Sequence, residues 1–464
     1  MNALILSAIF GVLMMFSGVM LKQKASVRNI ACTGMALLLI AVLLEMKGVV
    51  LFNVNTTGML SFTRFTLVFN AIIFFSTFIY LLLSAREMEN VGVNYAEFFA
   101  LIFFILCGVV LVTAFKSLLI LFLGIEIISI PLYILTGSDK RNLKSNEASL
   151  KYFLMGAFST GIMLMGIALL YGARGSFATD FSDLMTAEKP SPLLIGGILL
   201  ILFSMAFKVS AVPFHFWTPD VYDGAPTVFT SFMATIVKVA VFVGFIRLFN
   251  DSFDETQKQW RFVIAIITAA TLLVGNITAV FQQSVKRMLA YSSIAQAGFM
   301  LLAVYAMNSD SWEGLLLYAA AYCFATIGIF AVLAKMNDIT FSGFNGLGKK
   351  DPLVAGTLSV FLFSLAGIPL TAGFLAKFYM LKAALSVNGS LWLVILAVLM
   401  AAVSVSYYFK VLQAMYFKEP DISSDQTVIQ AFKQPVFRWS LIVLAVFIIL
   451  LGLFPGLLLT WYYF

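Results

Sequence analysis

Four ionisable side chains lie deep inside apolar stretches of this sequence. They are Glu126 in LLILFLGIEIISIPLYIL, Lys208 in FSMAFKVSAVPF, Lys238 in SFMATIVKVAVF and Lys377 in GFLAKFYMLKAAL. A charge at the centre of a membrane helix costs about 2.5–3.5 kcal/mol on insertion scales, so each one needs a compensating role. Burial favours the neutral form of a lysine and a nearby carboxylate favours the charged form. A series of such groups separated by water would conduct protons.

Each of these residues also has a structural interpretation. Glu126 and Lys208 are candidates for an ion pair, since opposite charges offset each other's desolvation in an apolar surrounding. A lysine or arginine near a helix end can extend to the lipid headgroups, and this interpretation is favoured for Lys410 and Arg64. For Lys151, in EASLKYFLMGAF at the start of an apolar stretch, both interpretations stay open. An ion pair is compatible with a relay, because the pair tunes the lysine.

The only histidine of the chain, His215, stands seven residues after Lys208 and nearly on the same helical face. An imidazole has an ordinary pKa of about 6.5, which suits a proton shuttle. Pro213 lies between them and removes one backbone donor. The freed backbone groups must face protein or water, because lipid cannot satisfy them. His215 is therefore either a shuttle or a hydrogen-bond partner of the broken helix, and one role does not exclude the other.

The interrupted segment has a second copy. FSMAFKVSAVP (203–213) is echoed by FSLAGIP (363–369), which lacks four residues and has its lysine, Lys377, after the proline. Paired interrupted helices at corresponding places in two halves indicate an inverted-repeat transporter with ion sites near the membrane midplane.

Composition places these segments in a membrane. The 464 residues are 62% hydrophobic and 11% charged, with a mean hydropathy of +1.01. Apolar runs of about 20 residues, enough for a helix to cross a bilayer, recur along the whole chain. About fourteen such runs lie near 3–21, 29–46, 61–84, 95–115, 117–136, 149–172, 192–215, 226–249, 262–281, 288–306, 314–334, 353–385, 391–416 and 438–461. We expect an all-α polytopic membrane protein with about fourteen transmembrane helices. The first run lacks the basic flank and the cleavage site of a signal peptide, which predicts a retained helix.

The net charge of +7 reflects the orientation of the chain in the membrane and does not indicate binding to nucleic acid. The basic residues cluster in short loops, in LKQKASVR (21–28), SDKRNLK (138–144), VKR (285–287) and GKK (348–350). Because cytoplasmic loops carry the excess of Lys and Arg, this pattern predicts that both termini lie outside.

Redox centres are not expected in this chain. Cys32, Cys107 and Cys323 are isolated in separate apolar runs, and one histidine cannot supply paired haem ligands. An iron–sulfur cluster needs about four thiolates. Electrons, if the protein serves a redox enzyme, would travel in another chain.

Several of these motifs together resemble a known family. KVSAVPFHFWTPDVYDGAPT (208–227), IVKVAVF, SVKRMLAYSSIAQAGFMLLA (284–303) and the GIP…GF break are similar to the subunit N family of bacterial NADH:quinone oxidoreductase, respiratory complex I. The wider group includes subunits L and M and the multi-subunit sodium/proton antiporters. The resemblance covers the whole chain. It implies two inverted five-helix repeats with two broken helices. The implied divisions are three N-terminal helices in 1–94, repeats in 95–250 and 251–420, and a last helix in 421–464.

The resemblance also implies roles for the ionisable residues. Glu126 would be the fifth-helix carboxylate that pairs with Lys208 on the broken seventh helix. Lys238 would be the central relay, and Lys377 on the broken twelfth helix would lead to the exit side. Lys151 matches a sixth-helix lysine of the family, and His215 matches a histidine between the two channel halves.

The implied function is proton translocation coupled to quinone reduction in other subunits. NADH, FMN, iron–sulfur clusters and quinone would belong to partner subunits, with none in this chain. The expected neighbours are lipid and K-like and M-like membrane subunits, in the bacterial inner (plasma) membrane with both termini periplasmic. One alternative is a subunit of a multi-subunit sodium/proton antiporter. Another is a structural spacer whose ion pairs only hold helices together.

Overall fold

Every regular element that the structure describes is a helix. The computed structural model describes residues 1–21, 23–181, 191–253, 257–419 and 432–463. In chain order the helices are α1 (Asn2–Met20), α2 (Lys24–Met46), α3 (Arg64–Val91), α4 (Tyr95–Ala114), α5 (Leu118–Thr136), α6 (Leu143–Arg174), α7 (Pro192–Lys208), α8 (Trp217–Gly224), α9 (Thr227–Phe253), α10 (Gln257–Val280), α11 (Val285–Ala306), α12 (Ser309–Leu333), α13 (Pro352–Ala366), α14 (Ala372–Leu385), α15 (Leu391–Phe417), α16 (Pro435–Leu453) and α17 (Gly456–Tyr463). Two further single turns, Ser342–Phe344 and Leu347–Lys350, precede α13.

The fourteen predicted crossings match these helices. Within the described residues, twelve helices are long and apolar enough to span a bilayer without interruption. Two further crossings are broken, into α7 with α8 and into α13 with α14. The predicted fold class, an all-α polytopic membrane protein, is confirmed.

Two helix limits differ from the apolar runs. α6 begins at Leu143, because Asn142 caps it by accepting a hydrogen bond from the backbone N–H of Lys144. Lys151 therefore lies two turns inside the helix, while the run 149–172 placed it at the start. The last run, 438–461, is interrupted at Pro455, so that α16 and α17 are separate helices.

Both broken helices end in the same backbone motif. Ser210 (φ 65°), two residues after the end of α7, and Gly367 (φ 86°), directly after the end of α13, adopt the left-handed conformation. The next residue then reaches back to a carbonyl five residues earlier, from Ala211 N–H to Ala206 O at 2.8 Å and from Ile368 N–H to Phe363 O at 3.0 Å. This is the Schellman pattern that satisfies the last carbonyls of a helix.

The two helices end at different positions relative to the repeated sequence FSMA/FSLA. In the first copy the left-handed residue comes four residues after the alanine of FSMA, and in the second it comes one residue after the alanine of FSLA. The extra residues of the first copy extend α7 to Lys208, whereas α13 stops at Ala366. The insertion therefore supplies the turn that carries Lys208.

Protein groups, as expected at membrane depth, satisfy the backbone at both breaks. The N–H of Val212 donates to Thr271 Oγ1 of α10 at 2.9 Å, and the indole of Trp217 donates to Phe207 O at 3.2 Å. At the second break the carbonyls of Leu365 and Ala366 accept hydrogen bonds from Lys377.

The helix α16 lies along the second broken helix. Asp351 caps α13 by accepting from the N–H of Val354, and Arg438 of α16 holds the same carboxylate through Nη2, at 2.8 and 2.9 Å from its two oxygens. Further along α16, a methyl group at Gly452 would lie 2.5 Å from the carbonyl oxygen of Leu370 in the break. The two contacts join α16 to both the beginning and the end of α13.

The packing places three helices at the centre. α4 packs on α5 and α9, and α10 packs on α11 and α15. α6 packs on α7, and α12 packs on α13 and α14. The helices α9, α11 and α12 are almost wholly enclosed by the others, while α1, α2, α15 and α16 leave much of their apolar surface free to face lipid. The interior that holds the charged residues is built on α9, α11 and α12.

We predict that Gly373→Ala loosens the second break. The backbone of α14 approaches α13 so closely there that an added Cβ would lie 1.9 Å from Ser364 O. Overpacking of this kind costs about 1–3 kcal/mol, so the midpoint of thermal unfolding of the purified protein should fall. Gly356→Ala is the matched control, because a Cβ on that α13 residue meets open space. Equal midpoints for the two variants would contradict the close approach.

Candidate functional site

Lys208 contacts the same face of α5 on which Glu126 lies, but its amine is not bonded to the Glu126 carboxylate. Lys208 Nζ donates to Ser129 Oγ at 2.9 Å. Ser129 stands three residues after Glu126, on the same side of the helix. The Oε1 atom of Glu126 is buried and has no hydrogen-bond partner among the described residues. The direct Glu126–Lys208 ion pair of the sequence analysis is therefore replaced by a contact one turn away.

The position of Lys208 explains this difference. Lys208 is the last residue of α7, next to carbonyl groups that carry the negative end of the helix dipole. The helix end and the Ser129 hydroxyl together stabilise the ammonium without a carboxylate in contact. A short shift of the side chain along α5 would change its acceptor from the neutral hydroxyl to the charged carboxylate.

Lys238 lies at the centre of the molecule. It is 2% exposed and directly follows a π-helical turn, Met233–Val237, inside α9. Its Nζ donates to the Oγ of Ser293 on α11 at 2.6 Å and to the carbonyl oxygen of Ser293 at 3.2 Å. The ring of Tyr222 lies 5.6 Å from the same nitrogen, within the range of a cation–π contact. π-turns are frequent at functional sites.

Lys377 caps the carboxyl end of α13, the first half of the second broken helix. Its Nζ donates to the carbonyl oxygens of Leu365 at 2.8 Å and Ala366 at 3.0 Å. The ring centroid of Phe299 lies 4.7 Å away. Lys377 belongs to α14 but binds the carboxyl end of α13, where the helix dipole favours a cation.

His215 lies within the first break, between α7 and α8. The residue is buried, and its Nδ1 atom has no hydrogen-bond partner in the described part of the chain. Its backbone carbonyl accepts from the N–H of Thr218 at 2.9 Å. The shuttle role of His215 stays a prediction, and a buried ring nitrogen without a partner is compatible with it.

Lys151 belongs to a separate cluster of charges. Its Nζ lies 2.7 Å from Glu147 of its own helix and 2.9 Å from Asp220 of α8. Arg287 of α11 binds the other oxygen of Asp220 at 3.0 Å. The cluster ties α6, α8 and α11 together and is half exposed. Lys151 is more exposed than Lys238 and Lys377, and both of its interpretations stay open.

Arg64 and Lys410 bind helix ends. Arg64 donates to the carbonyls of Trp461 and Met46, each at 2.9 Å, and Lys410 donates to Val280 O at 2.6 Å. Each cation caps the last turn of a neighbouring helix, and the headgroup contact expected from the sequence stays a prediction.

Two buried lysines of the described residues, Lys286 and Lys335, were missed by the sequence analysis. Lys286 was counted among the loop charges of VKR, but Ser284 caps α11 and places Lys286 in its first turn, 4% exposed. Its Nζ donates to the carbonyl oxygens of Asp223 at 2.9 Å and Ala225 at 2.6 Å, at the end of α8. A serine directly before a helical pattern is a start signal that would have moved this residue out of the loop.

A group of uncharged polar residues was also missed. It lies between Lys238 and Lys377 and consists of Ser293 and Gln296 on α11 and Tyr318 and Tyr322 on α12. Polar residues at positions three and four apart, as in SSIAQ, share one face of an apolar helix and are the signal that could have identified them.

Metal binding finds no support in the described residues. They contain no group of three or more His, Cys, Asp or Glu side chains that could hold a metal ion. The chemistry that the site offers is proton exchange among buried lysines, hydroxyl groups and one imidazole.

Two broken helices, with the partly buried Lys208 at one break and the buried Lys377 at the other, define a polytopic membrane protein of the antiporter-like class. A family model described as "NADH:quinone oxidoreductase/Mrp antiporter, TM" matches residues 115–404, and the chain belongs to this family.

Individual relatives show which members of the family this chain is similar to in sequence and in fold. The chain is 39% identical, over 99% of each sequence, to the NADH-quinone oxidoreductase subunit N of Cytophaga hutchinsonii. Among solved structures it is similar to a chain of respiratory complex I from Thermus thermophilus, with 32% identity, a TM-score of 0.83 and coverage of 99% and 98%. A chain of the Mrp complex from Dietzia has the same fold, with 18% identity, a TM-score of 0.84 and coverage of 99% and 96%. The resemblance to the subunit N family is confirmed.

We predict that Lys286→Met destabilises the junction of α8 and α11. The substitution keeps most of the side-chain volume but leaves the carbonyls of Asp223 and Ala225 without their donor. Hydrogen bonds to a charged group contribute about 1.5–3 kcal/mol, so the midpoint of thermal unfolding should fall clearly. The exposed Lys349→Met is the control. Unchanged stability of Lys286→Met would show that these two bonds contribute nothing.

Proposed function

We propose that this protein is a proton-translocating membrane subunit of a NADH:quinone oxidoreductase. The observation that carries the proposal is the way its buried lysines are held. In the described part of the chain, the hydrogen-bond acceptors of Lys208, Lys238 and Lys377 are neutral hydroxyl and carbonyl oxygens. The similarity to subunit N relatives over the full length supports the same assignment.

Neutral acceptors are what a relay of lysines requires. A carboxylate in direct contact would hold the lysine in its charged form, because an opposite charge nearby favours that form. Hydroxyl and carbonyl groups orient the amine while leaving both protonation states accessible. Each lysine is then free to accept a proton from one side and to release it to the other.

The proposed relay assigns one role to each residue. Glu126 acts on Lys208 from the same face of α5, so that movement of the lysine between Ser129 and Glu126 changes its charge state. Lys238 is the central relay and Lys377 the last buried group before the exit side. His215 would pass protons across the first break, and Lys151 would link the relay to the charge cluster around Asp220.

We propose the partners and the location by analogy with the family. The electron-transfer groups, NADH, FMN, iron–sulfur clusters and quinone, would belong to other subunits, and K-like and M-like membrane subunits would be the neighbours. We place the complex in the bacterial inner membrane with both termini periplasmic.

The chain divides into N-terminal helices (1–94), two inverted repeats (95–250 and 251–420) and a last helix (421–464). The similar packing of α4 on α5 and α9, and of α10 on α11 and α15, supports the two repeats. The final boundary, at 420–421, lies outside the described residues.

A subunit of a multi-subunit sodium/proton antiporter is the second candidate. The family description names both protein classes, and the Mrp chain shares the fold. Relatives named subunit N, at 39% identity over the full length, favour the oxidoreductase. Neighbouring genes for an NADH-oxidising arm would decide between the two.

Lys238→Ala should abolish or uncouple proton pumping by the assembled complex, because it removes the amine that the proposal makes the central relay. Pumping is measured in proteoliposomes with a fluorescent pH probe, alongside NADH:quinone turnover and the amount of complex. Lys410→Ala, which removes an exposed lysine that caps a helix end, is the control and should pump normally. Normal proton stoichiometry in both Lys208→Ala and Lys238→Ala would overturn the proposal.

Glu126→Gln separates the relay from the structural spacer. The relay requires the negative charge, so the variant should assemble normally and pump poorly. A spacer predicts the reverse, with poor assembly but normal pumping per complex. Assembly is followed by native gel electrophoresis, and pumping is normalised to the assembled fraction.

A further inference from the structure

The space between Lys238 and Lys377 contains a continuous line of polar groups. Ser293 Oγ, the acceptor of Lys238 Nζ at 2.6 Å, also accepts a hydrogen bond from Tyr322 Oη at 3.0 Å. Tyr322 is 2% exposed and lies in α12, one of the most enclosed helices. The phenol therefore reaches the central lysine through a single hydroxyl group.

Tyr322 also faces a small cavity that reaches Lys377. The cavity has a volume of about 10 Å³ and is lined by Tyr322, Tyr318, Gln296, Ser364 and Lys377, among others. This volume is close to the minimum that one water molecule occupies, and a buried water needs two to four polar partners. The hydroxyls of Tyr322 and Tyr318 and the Lys377 amine are such partners.

Gln296 fixes the far wall of this cavity. Its Nε2 donates to Leu365 O at 3.0 Å, the same carbonyl that accepts from Lys377 Nζ at 2.8 Å. Its Oε1 accepts from the hydroxyl of Tyr318, and its Nε2 also lies 3.1 Å from Tyr408 Oη. With both ends of the amide occupied, Gln296 cannot turn, and it holds α11 against the end of α13.

We propose that the Tyr322 hydroxyl passes protons between Lys238 and Lys377. This inference rests on the proposed function and names the group that joins its two last lysines. In the forward step the Lys238 ammonium gives a proton to Ser293 Oγ, and Ser293 gives its own hydroxyl proton to Tyr322 Oη. Tyr322 gives its proton to the cavity water, and the water gives one to neutral Lys377. Each oxygen gains and loses one proton, so the net change is one proton from Lys238 to Lys377.

The hydrogen-bond directions make Tyr322 a gate as well as a carrier. Ser293 Oγ receives two donors, the Lys238 ammonium and the Tyr322 hydroxyl, so it has no acceptor on the phenol side to which it can pass a proton. Rotation of the Tyr322 O–H bond towards the cavity would free the phenol oxygen to accept from Ser293. The ring itself stays in place, and only the hydroxyl hydrogen moves.

Tyr322→Phe tests the inference in the assembled complex, because it removes the hydroxyl and keeps the ring. We expect the pumping rate per complex to fall about tenfold, less than the full effect of a positioned proton-transfer group, since a second water can partly replace the hydroxyl. Tyr80→Phe is the matched control. It removes another fully buried tyrosine hydroxyl, which donates to Val228 O at 2.9 Å away from this line of groups. Equal pumping in the two variants, with Lys238→Ala inactive, would overturn the role of Tyr322 and leave the proposed function standing.

Substitutions at Ser293 provide the second measurement. Ser293→Ala breaks the line at its first hydroxyl and should reduce pumping as Tyr322→Phe does, while Ser293→Thr keeps the hydroxyl and should restore it. A purely structural role of these residues would lower the amount of assembled complex and leave pumping per complex unchanged. Pumping in D₂O separates the two further, because the solvent isotope effect should be larger in Tyr322→Phe than in Tyr80→Phe. Identical isotope effects, like normal pumping in Ser293→Ala, would contradict the proposal.

Discussion

The absence of hydrogen-bonding solvent at membrane depth is the constraint on which this structure depends. An unbroken helix satisfies its own backbone, but a helix that ends inside the membrane exposes carbonyl and amide groups that lipid cannot satisfy. Here two helices end in that way, and the protein supplies the missing partners from Thr271, Trp217 and Lys377. The breaks would be costly without these partners. With them, each break becomes a rigid polar site in an apolar surrounding.

The same constraint sorts the charges into two groups. Several charges towards the helix ends form ion pairs, such as Lys335 with Glu87 and Arg438 with Asp351. The interior lysines are held by hydroxyls, by the carboxyl ends of helices and by aromatic faces. An ion pair fixes the protonation state of both partners, whereas a helix end or an aromatic face stabilises a cation only in part. The division separates the groups that hold the helices together from the groups that can change their charge.

Much of this fold was predictable from the sequence, because the apolar composition indicates that most of the chain is surrounded by lipid. The apolar runs predict all fourteen crossings. Pro213 and the similar segment FSLAGIP (363–369) predict the two breaks. What a residue touches across the bundle was less predictable. Nothing in the spacing of Glu126 and Lys208 shows that Lys208 binds Ser129, one turn further along α5. Lys286 was placed in a loop because a serine cap was not recognised. Ser293, Gln296 and Tyr322 are ordinary polar residues until the packing of α11 on α12 brings them to one point between two lysines.

The contacts of α16 make the two breaks mechanically unequal. Arg438 of α16 binds the start of α13, and Gly452 of α16 packs closely on the loop that follows α13. The second broken helix is therefore held along its length by one unbroken transmembrane helix. Any displacement of that break would have to carry α16 with it. Among the described contacts of its backbone, the first break is joined to the long helix beside it, α10, through a single side chain, Thr271. Displacement of the first break would instead have to break the polar contacts of α8, whose Asp220 is held by Lys151 and Arg287 and whose end is held by Lys286. One break is thus held by a complete crossing and the other by a set of charged side chains.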